Sequence, residues 1–304
     1  MTGPSTTLAT AVAFRSPWAQ VTSDLPPASG MSSSSALLCA VALALADLNG
    51  FSSSDLWRRN CPYPLALAGY LACVENGRTW GELAGSAGVG TFGGSEDHTA
   101  MLCGSDGSVI HAEFDPPRIV REVALPDGLA LVVAVSGVLA EKSGAALADY
   151  NRASLAISEL LTTWNAVRGR ADASLAGAVR SLVGDTLVTP DDPRLAPLTA
   201  LAQGYQRARL EQFVAESFGW VPRAVEALAS GDLAALGDLA AASQGAAAEL
   251  LGNQVPETRH LAGSARRLGA LAASAFGAGY GGSVWALMSA SDAEGFGERW
   301  LDRG

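Results

Sequence analysis

The stretch Leu25–Leu45, LPPASGMSSSSALLCAVALAL, sets four consecutive serines directly against an uninterrupted apolar run. A linker accounts for the serines and a buried helix for the apolar residues, but neither accounts for the abrupt join. A helix leaves its first N–H groups without intrahelical partners, and its dipole places partial positive charge there. Gly and Ser just before such an end let those N–H groups approach an anion, while hydroxyls bind phosphate or a metal ion. Gly30, Met31, Ser32, Ser33, Ser34 and Ser35, ahead of Ala36, fit that device. A capped core helix with a polar lead-in remains the alternative on these residues alone.

Ala36 to Leu48 reads as a helix buried on most sides and stopped at Asn49–Gly50. Its apolar run reaches Asp47 after about eleven residues, well short of the roughly twenty needed to span a bilayer. No basic segment followed by an apolar one opens the chain, so no secretory signal is expected. These features predict a soluble, cytoplasmic protein without a membrane partner. The 304 residues suffice for one large domain or two ordinary ones. With 49% hydrophobic and 16% charged residues, a substantial core is expected. The net charge of −10 argues against a nucleic-acid partner, which would call for a basic stripe. Phosphate binding in such a chain must rest on backbone N–H groups, a helix N-terminus and a metal ion. Cys39, Cys61, Cys73 and Cys103 form no CxxC pair and read as reduced core thiols. They do not cluster with His98, His111 or His260, so zinc is not expected.

A second helix is predicted over Pro64–Glu75, followed by the glycine-dense NGRTWGELAGSAGVGTFGGSEDH. SVIHAEF and IVREVAL look like strands, and Asp127–Gly128 marks a turn before LALVVAVS. That last run is continuously apolar, as in a strand buried on both faces. Helices dominate from Ala145, interrupted by a loop at VTPDDPRLAP. The glycines of SAFGAGYGGSVWALMSA lie between two strands, or between a strand and a turn. The reading is α+β, with domains over residues 1–127 and 128–304.

Two further segments can carry chemistry. In VGTFGGSEDHTAM, Gly94 leads into Glu96, Asp97 and His98, three titratable side chains after a glycine-rich approach. Such a group is either a solvated turn or a carboxylate held to accept a proton from a substrate hydroxyl. In FGAGYGGSVWALM, four glycines precede an apolar run, which suits a tight turn or a backbone packed close to a ligand.

Together, the three segments resemble the GHMP small-molecule kinases, most closely their galactokinase branch. SDLPPASGMSSSSALL is similar to that branch's second motif, a Pro-containing turn before a Gly-X-Ser-Ser-Ser phosphate loop. VGTFGGSEDH is similar to the segment holding the catalytic aspartate, and GALAASAFGAGYGGSVWAL to the third, Gly-Ala-Gly-aromatic-Gly-Gly motif. The intervening LPDGLALVVAVSGVLAEKSGAALADYNRAS follows the same pattern, so the resemblance runs from about Val21 to Met288.

The resemblance implies a two-domain GHMP kinase fold. Its N-terminal part would resemble the second domain of ribosomal protein S5, incomplete here, and its C-terminal domain would be a ferredoxin-like α/β unit. The implied cofactors are ATP and Mg²⁺, and the implied substrate is a monosaccharide. Residues Gly30 to Ser35 would wrap the ATP phosphates, with Ser34 nearest the metal ion. Asp97 would orient or deprotonate the anomeric hydroxyl, and Tyr150 would contact the sugar beside Gly94, Glu96, His98 and Gly279. Gly277, Gly279, Gly281 and Gly282 would close the site between the domains. The magnesium-binding glutamate would be Glu75, with Glu82 as competitor.

The family's first motif, resembling GRVNLIGEHTDY, is not found in Met1–Gln20. It would supply an arginine beside the catalytic aspartate, and losing that charge would remove a stabilising partner of Asp97. A fragment, a partner chain or second copy supplying the piece, or a catalytically silent ATP- and sugar-binding protein would each account for this. A kinase for a non-sugar alcohol such as mevalonate is a further alternative, against which Tyr150 and the galactokinase-like middle section speak.

Overall fold

Ser33, Ser34 and Ser35 belong to the first turn of a helix that begins before the apolar run: α1 spans Ser33–Asn49. The computed structural model describes residues 20–25, 29–114, 116–140 and 147–303. Pro26 and Pro27, and Met1–Ala19 of the stretch searched for a first motif, lie outside these. Gly50 ends α1 at φ 63°, donating back to the Ala46 and Asp47 carbonyls.

The expectation that α1 is buried on most sides is not met. Ser35, Cys39 and Ala46 are buried, but Leu37, Val41, Leu43 and Leu48 are exposed among the described residues. Only the side facing its helical neighbours is covered. Cys39 joins Cys61, Leu67 and Leu71 in a small core there. It is shared with α2 (Asp55–Asn60) and α3 (Pro64–Asn76), which opens on a proline where the missing N–H costs nothing. Next, α4 (Glu96–Cys103) packs on α1 and α3. The strands β1 (Ser108–Phe114) and β2 (Pro117–Ala124) then form an antiparallel hairpin with a register shift between His111 and Ala112.

After the Asp127–Gly128 turn, β3 (Leu129–Val135) starts a second sheet. Six helices, α5 (Leu147–Arg168), α6 (Leu175–Val183), α7 (Ala196–Thr199), α8 (Tyr205–Ala215), α9 (Val221–Ser230) and α10 (Leu233–Ala246), follow it. The predicted loop around Asp191–Pro197 therefore contains a 3₁₀ turn at Pro193–Leu195 and the start of α7. Two π-helical turns, Glu216–Trp220 and Ala247–Leu251, extend α8 and α10. The chain closes with α11 (Pro256–Arg267), β4 (Ala272–Ala275), β5 (Ser283–Ser289) and α12 (Ala293–Arg303).

The second sheet has the order β3–β5–β4, all antiparallel, pairing Leu129 with Ser289 and Val135 with Ser283. Its buried side meets α11 and α12 through Leu261, Ala265, Val284, Met288, Phe296 and Trp300. The prediction that β3 is covered on both faces fails among the described residues, because α11 and α12 pack on one side of this sheet and leave the other side of β3 open. Leu131, Val133 and Val135 alternate along its exposed face. A helical core centred on Leu160, Trp164, Val179, Leu198 and Val214 completes the mixed α+β architecture. No helix among the described residues is long and apolar enough to cross a membrane.

Candidate active site

Two glycine loops from opposite ends of the chain meet at the start of α1. Gly30 has φ 77° and Ser32, the N-cap, has φ 53°, both left-handed. The Ser32 side chain makes no capping hydrogen bond and so leaves the first-turn N–H groups uncapped by it. Against this turn lies the loop between β4 and β5. A Cβ on Gly282 would sit 2.8 Å from the Gly30 Cα and 2.8 Å from the Ser29 carbonyl oxygen, so only glycine fits. The buried Ser283 hydroxyl donates to the Ser29 carbonyl at 2.6 Å. Gly281 is equally confined, its Cβ position lying 2.6 Å from the Val138 carbonyl oxygen, and Gly279 abuts Asn253. An uncapped helix N-terminus in a side-chain-free cradle suits a polyphosphate.

Carboxylates converge beneath the same helix end. Glu75, in the last turn of α3, accepts a hydrogen bond from the Ser35 hydroxyl at 3.4 Å. Its other oxygen lies 3.6 Å from Nε2 of the buried His98. Asp97, in the first turn of α4, is partly buried, while Glu96 beside it is exposed. Burial pushes the Cys39 thiol above its ordinary range, and the charges of Glu75 and Asp97 push it further. Both carboxylates therefore act on one point of α1. Glu82 lies apart, in an exposed two-bond ion pair with Arg59 at 2.7 and 2.9 Å.

The glycine-rich approach to Asp97 is strapped on two sides. The Asn76 amide exchanges hydrogen bonds with Gly93, donating to its carbonyl at 2.7 Å and accepting from its N–H at 3.1 Å. The buried Asn151 accepts from the Phe92 N–H at 3.0 Å and donates to the Gly90 carbonyl at 2.8 Å. Ser154 donates to the Phe92 carbonyl at 2.7 Å. One residue before Asn151, Tyr150 is partly buried at the start of α5, its hydroxyl 3.5 Å from where a Cβ on Gly93 would lie.

The fold thus gathers residues 30–35, Glu75, Asp97 and His98 at one helix end, and brings Tyr150 to the segment leading to Asp97. It leaves Glu82 outside and Gly94 exposed near Phe114. Ser34 is exposed, and the serine hydroxyl within reach of Glu75 is that of Ser35. Asn76, Asn151 and Ser154 were not singled out from sequence, since an amide that fixes a loop has no local signature. Among the described residues, no group of three or more His, Cys, Asp or Glu side chains can hold a metal ion. Magnesium at a nucleotide needs less, because phosphates and water complete its shell around one or two protein oxygens. Glu75 and Ser35 are such a donor pair.

Two family models match the chain, one of the GHMP kinases N terminal domain at residues 7–61 and one of the GHMP kinases C terminal at residues 224–304. No match is found among curated proteins. In fold, the chain is similar to a Lactococcus lactis galactokinase complexed with galactose, at 21% identity and TM-score 0.68. That match covers 91% of this chain but 62% of the galactokinase, so the chain spans less than two thirds of that relative's length. An L. major mevalonate kinase in complex with R-mevalonate aligns at 18% identity over 88% of this chain and 60% of its own, with a TM-score of 0.47. The chain thus carries matches to both the N- and the C-terminal domain of the GHMP kinases, in that order, on a fold similar to that of a galactokinase.

Proposed function

We propose that this chain is an ATP-dependent sugar kinase of galactokinase type, which phosphorylates the anomeric hydroxyl of a monosaccharide. The observation that carries the reading is the contact of Gly30 with Gly282 at an uncapped helix N-terminus, with Glu75 and Asp97 converging beside it. The first-turn N–H groups of α1 and the Gly30 backbone bind the phosphates. Glu75 and a serine of the loop would hold magnesium, which would supply neutralising charge for the transferring phosphoryl group. Asp97 orients the sugar hydroxyl and accepts its proton. The new bond joins the anomeric oxygen to the γ-phosphorus, the bond from that phosphorus to the β–γ bridging oxygen breaks, and ADP leaves. Tyr150 positions the sugar, and His98 buttresses Glu75.

The test is ADP release by the purified chain with Mg-ATP across galactose, arabinose and glucuronate, alongside Asp97→Asn. Sugar-dependent turnover that falls by at least about 100-fold in the variant supports the reading. Nucleotide binding without turnover for any sugar overturns it in favour of a silent binding protein.

A further inference from the structure

Tyr280 stands where a glycine would be easier. Its φ of 59° puts it in the left-handed region, and every non-glycine exception among the described residues is either Tyr280 or Ser32 of the phosphate loop. A side chain with a Cβ pays a steric penalty in that conformation, so the tyrosine persists only if its contacts offset the strain. Those contacts are specific. The Tyr280 hydroxyl donates to the Asp149 carbonyl at 2.7 Å, in the first turn of α5. Its N–H donates to the Asn253 carbonyl at 2.5 Å, and the Asn253 amide returns a bond to the Ala278 carbonyl at 2.8 Å.

The same turn of α5 is held from its other side. Asn151 and Ser154 bind the glycine segment that leads to Asp97. Arg152 lies with its guanidinium carbon 3.7 Å from the centroid of the Tyr205 ring, whose hydroxyl is anchored on the Leu251 carbonyl. One helix end therefore bridges the loop that cradles Gly30 and the segment that presents Asp97. The only side-chain bond from that loop to the α5 turn among those described is the Tyr280 hydroxyl.

We propose that Tyr280 is a positioning residue, a latch that keeps the first turn of α5, with Tyr150 on it, in register with the phosphate-facing glycine loop. Its role in sugar positioning rests on the kinase reading above, whereas the latch itself does not.

The experiment is hydrogen exchange of the ligand-free full chain as wild type, Tyr280→Phe and Tyr205→Phe. Losing one hydroxyl should speed exchange about fivefold over residues 147–154 and 88–94 in Tyr280→Phe, with residues 256–267 unchanged. Tyr205→Phe, which also removes a phenol, should leave 147–154 at the wild-type rate. In turnover, Tyr280→Phe should raise the KM for sugar by a similar factor and leave the KM for ATP unchanged. Unaltered exchange over 147–154, or acceleration spread evenly along the chain, overturns the latch. A sugar KM that stays put while the helix end loosens overturns the positioning role. Exchange reads the latch and turnover reads the kinase, so either can fail without the other.

Discussion

Of four consecutive serines, one is buried and bonded to a carboxylate, and its neighbour is exposed. The difference is a helical rotation of about 100° between Ser34 and Ser35. Sequence spacing could place the proposed phosphate loop, but choosing the hydroxyl proposed to face a metal ion depends on where α1 begins. The two candidate glutamates were undecided for a similar reason, since their positions depend on the path of residues 77–95. Glu75 ends a helix aimed at the site, and Glu82 is held away by Arg59. Glu75→Gln should therefore raise the magnesium concentration giving half-maximal activity by about tenfold, and Glu82→Gln should leave it unchanged. A magnesium titration of initial rates reads both. An effect of Glu82→Gln alone would transfer the role to that residue.

At the level of elements, the loop between β4 and β5 is shaped by what cannot be added to it. Gly282, at φ 83°, combines backbone strain with a clash against Gly30 and Ser29. Gly128, at φ 78°, has the same kind of backbone but nothing within 4 Å of its Cβ position. Gly128→Ala should cost about 1 kcal/mol in urea unfolding, and Gly282→Ala about 2–4 kcal/mol. Gly282→Ala should also weaken nucleotide binding, with Gly128→Ala leaving it intact. Equal costs for the two would mean that the inter-loop contact is loose. Periodicity identified α3 and the strands β1 and β2, and of the two readings left open around the glycine loop the structure has the two strands, β4 and β5. It failed on coverage. The sequence reading buries α1 on most sides and β3 on both faces, yet each has one exposed face among the described residues. A continuous apolar run reports hydrophobicity and not how many neighbours the fold provides.

Across the whole molecule, the β1–β2 hairpin is tied to the later helices by ion pairs, Arg180 of α6 to Glu113 at 2.6 Å and Arg121 to Glu226 of α9. Deeper in the helical half, Glu216 sits in the first of the π-helical turns. Burial pushes its carboxyl above the ordinary range, while a hydrogen bond from Ser243 at 2.9 Å and the charge of Arg209 pull the other way. Its second oxygen is buried without a hydrogen-bond partner among the described residues. A carboxyl raised on folding favours the native state when protonated, so stability falls as pH climbs from the unfolded value through the folded one. Glu216→Gln escapes that loss. Its melting temperature relative to wild type should therefore be more favourable at about pH 8 than at about pH 4. A difference that does not vary with pH would show that the carboxyl titrates normally.

The bond between Ser283 and Ser29 joins residues 254 positions apart. Chains emerge from the ribosome N-terminus first, and contacts between distant segments are the slow ones to form. A nascent chain can therefore wind α1 and expose its N-terminal turn long before the loop that cradles it has been synthesised. On the reading proposed above, that turn gains its cradle only once residues 277–283 have been synthesised, which would make nucleotide binding a report that translation has passed them.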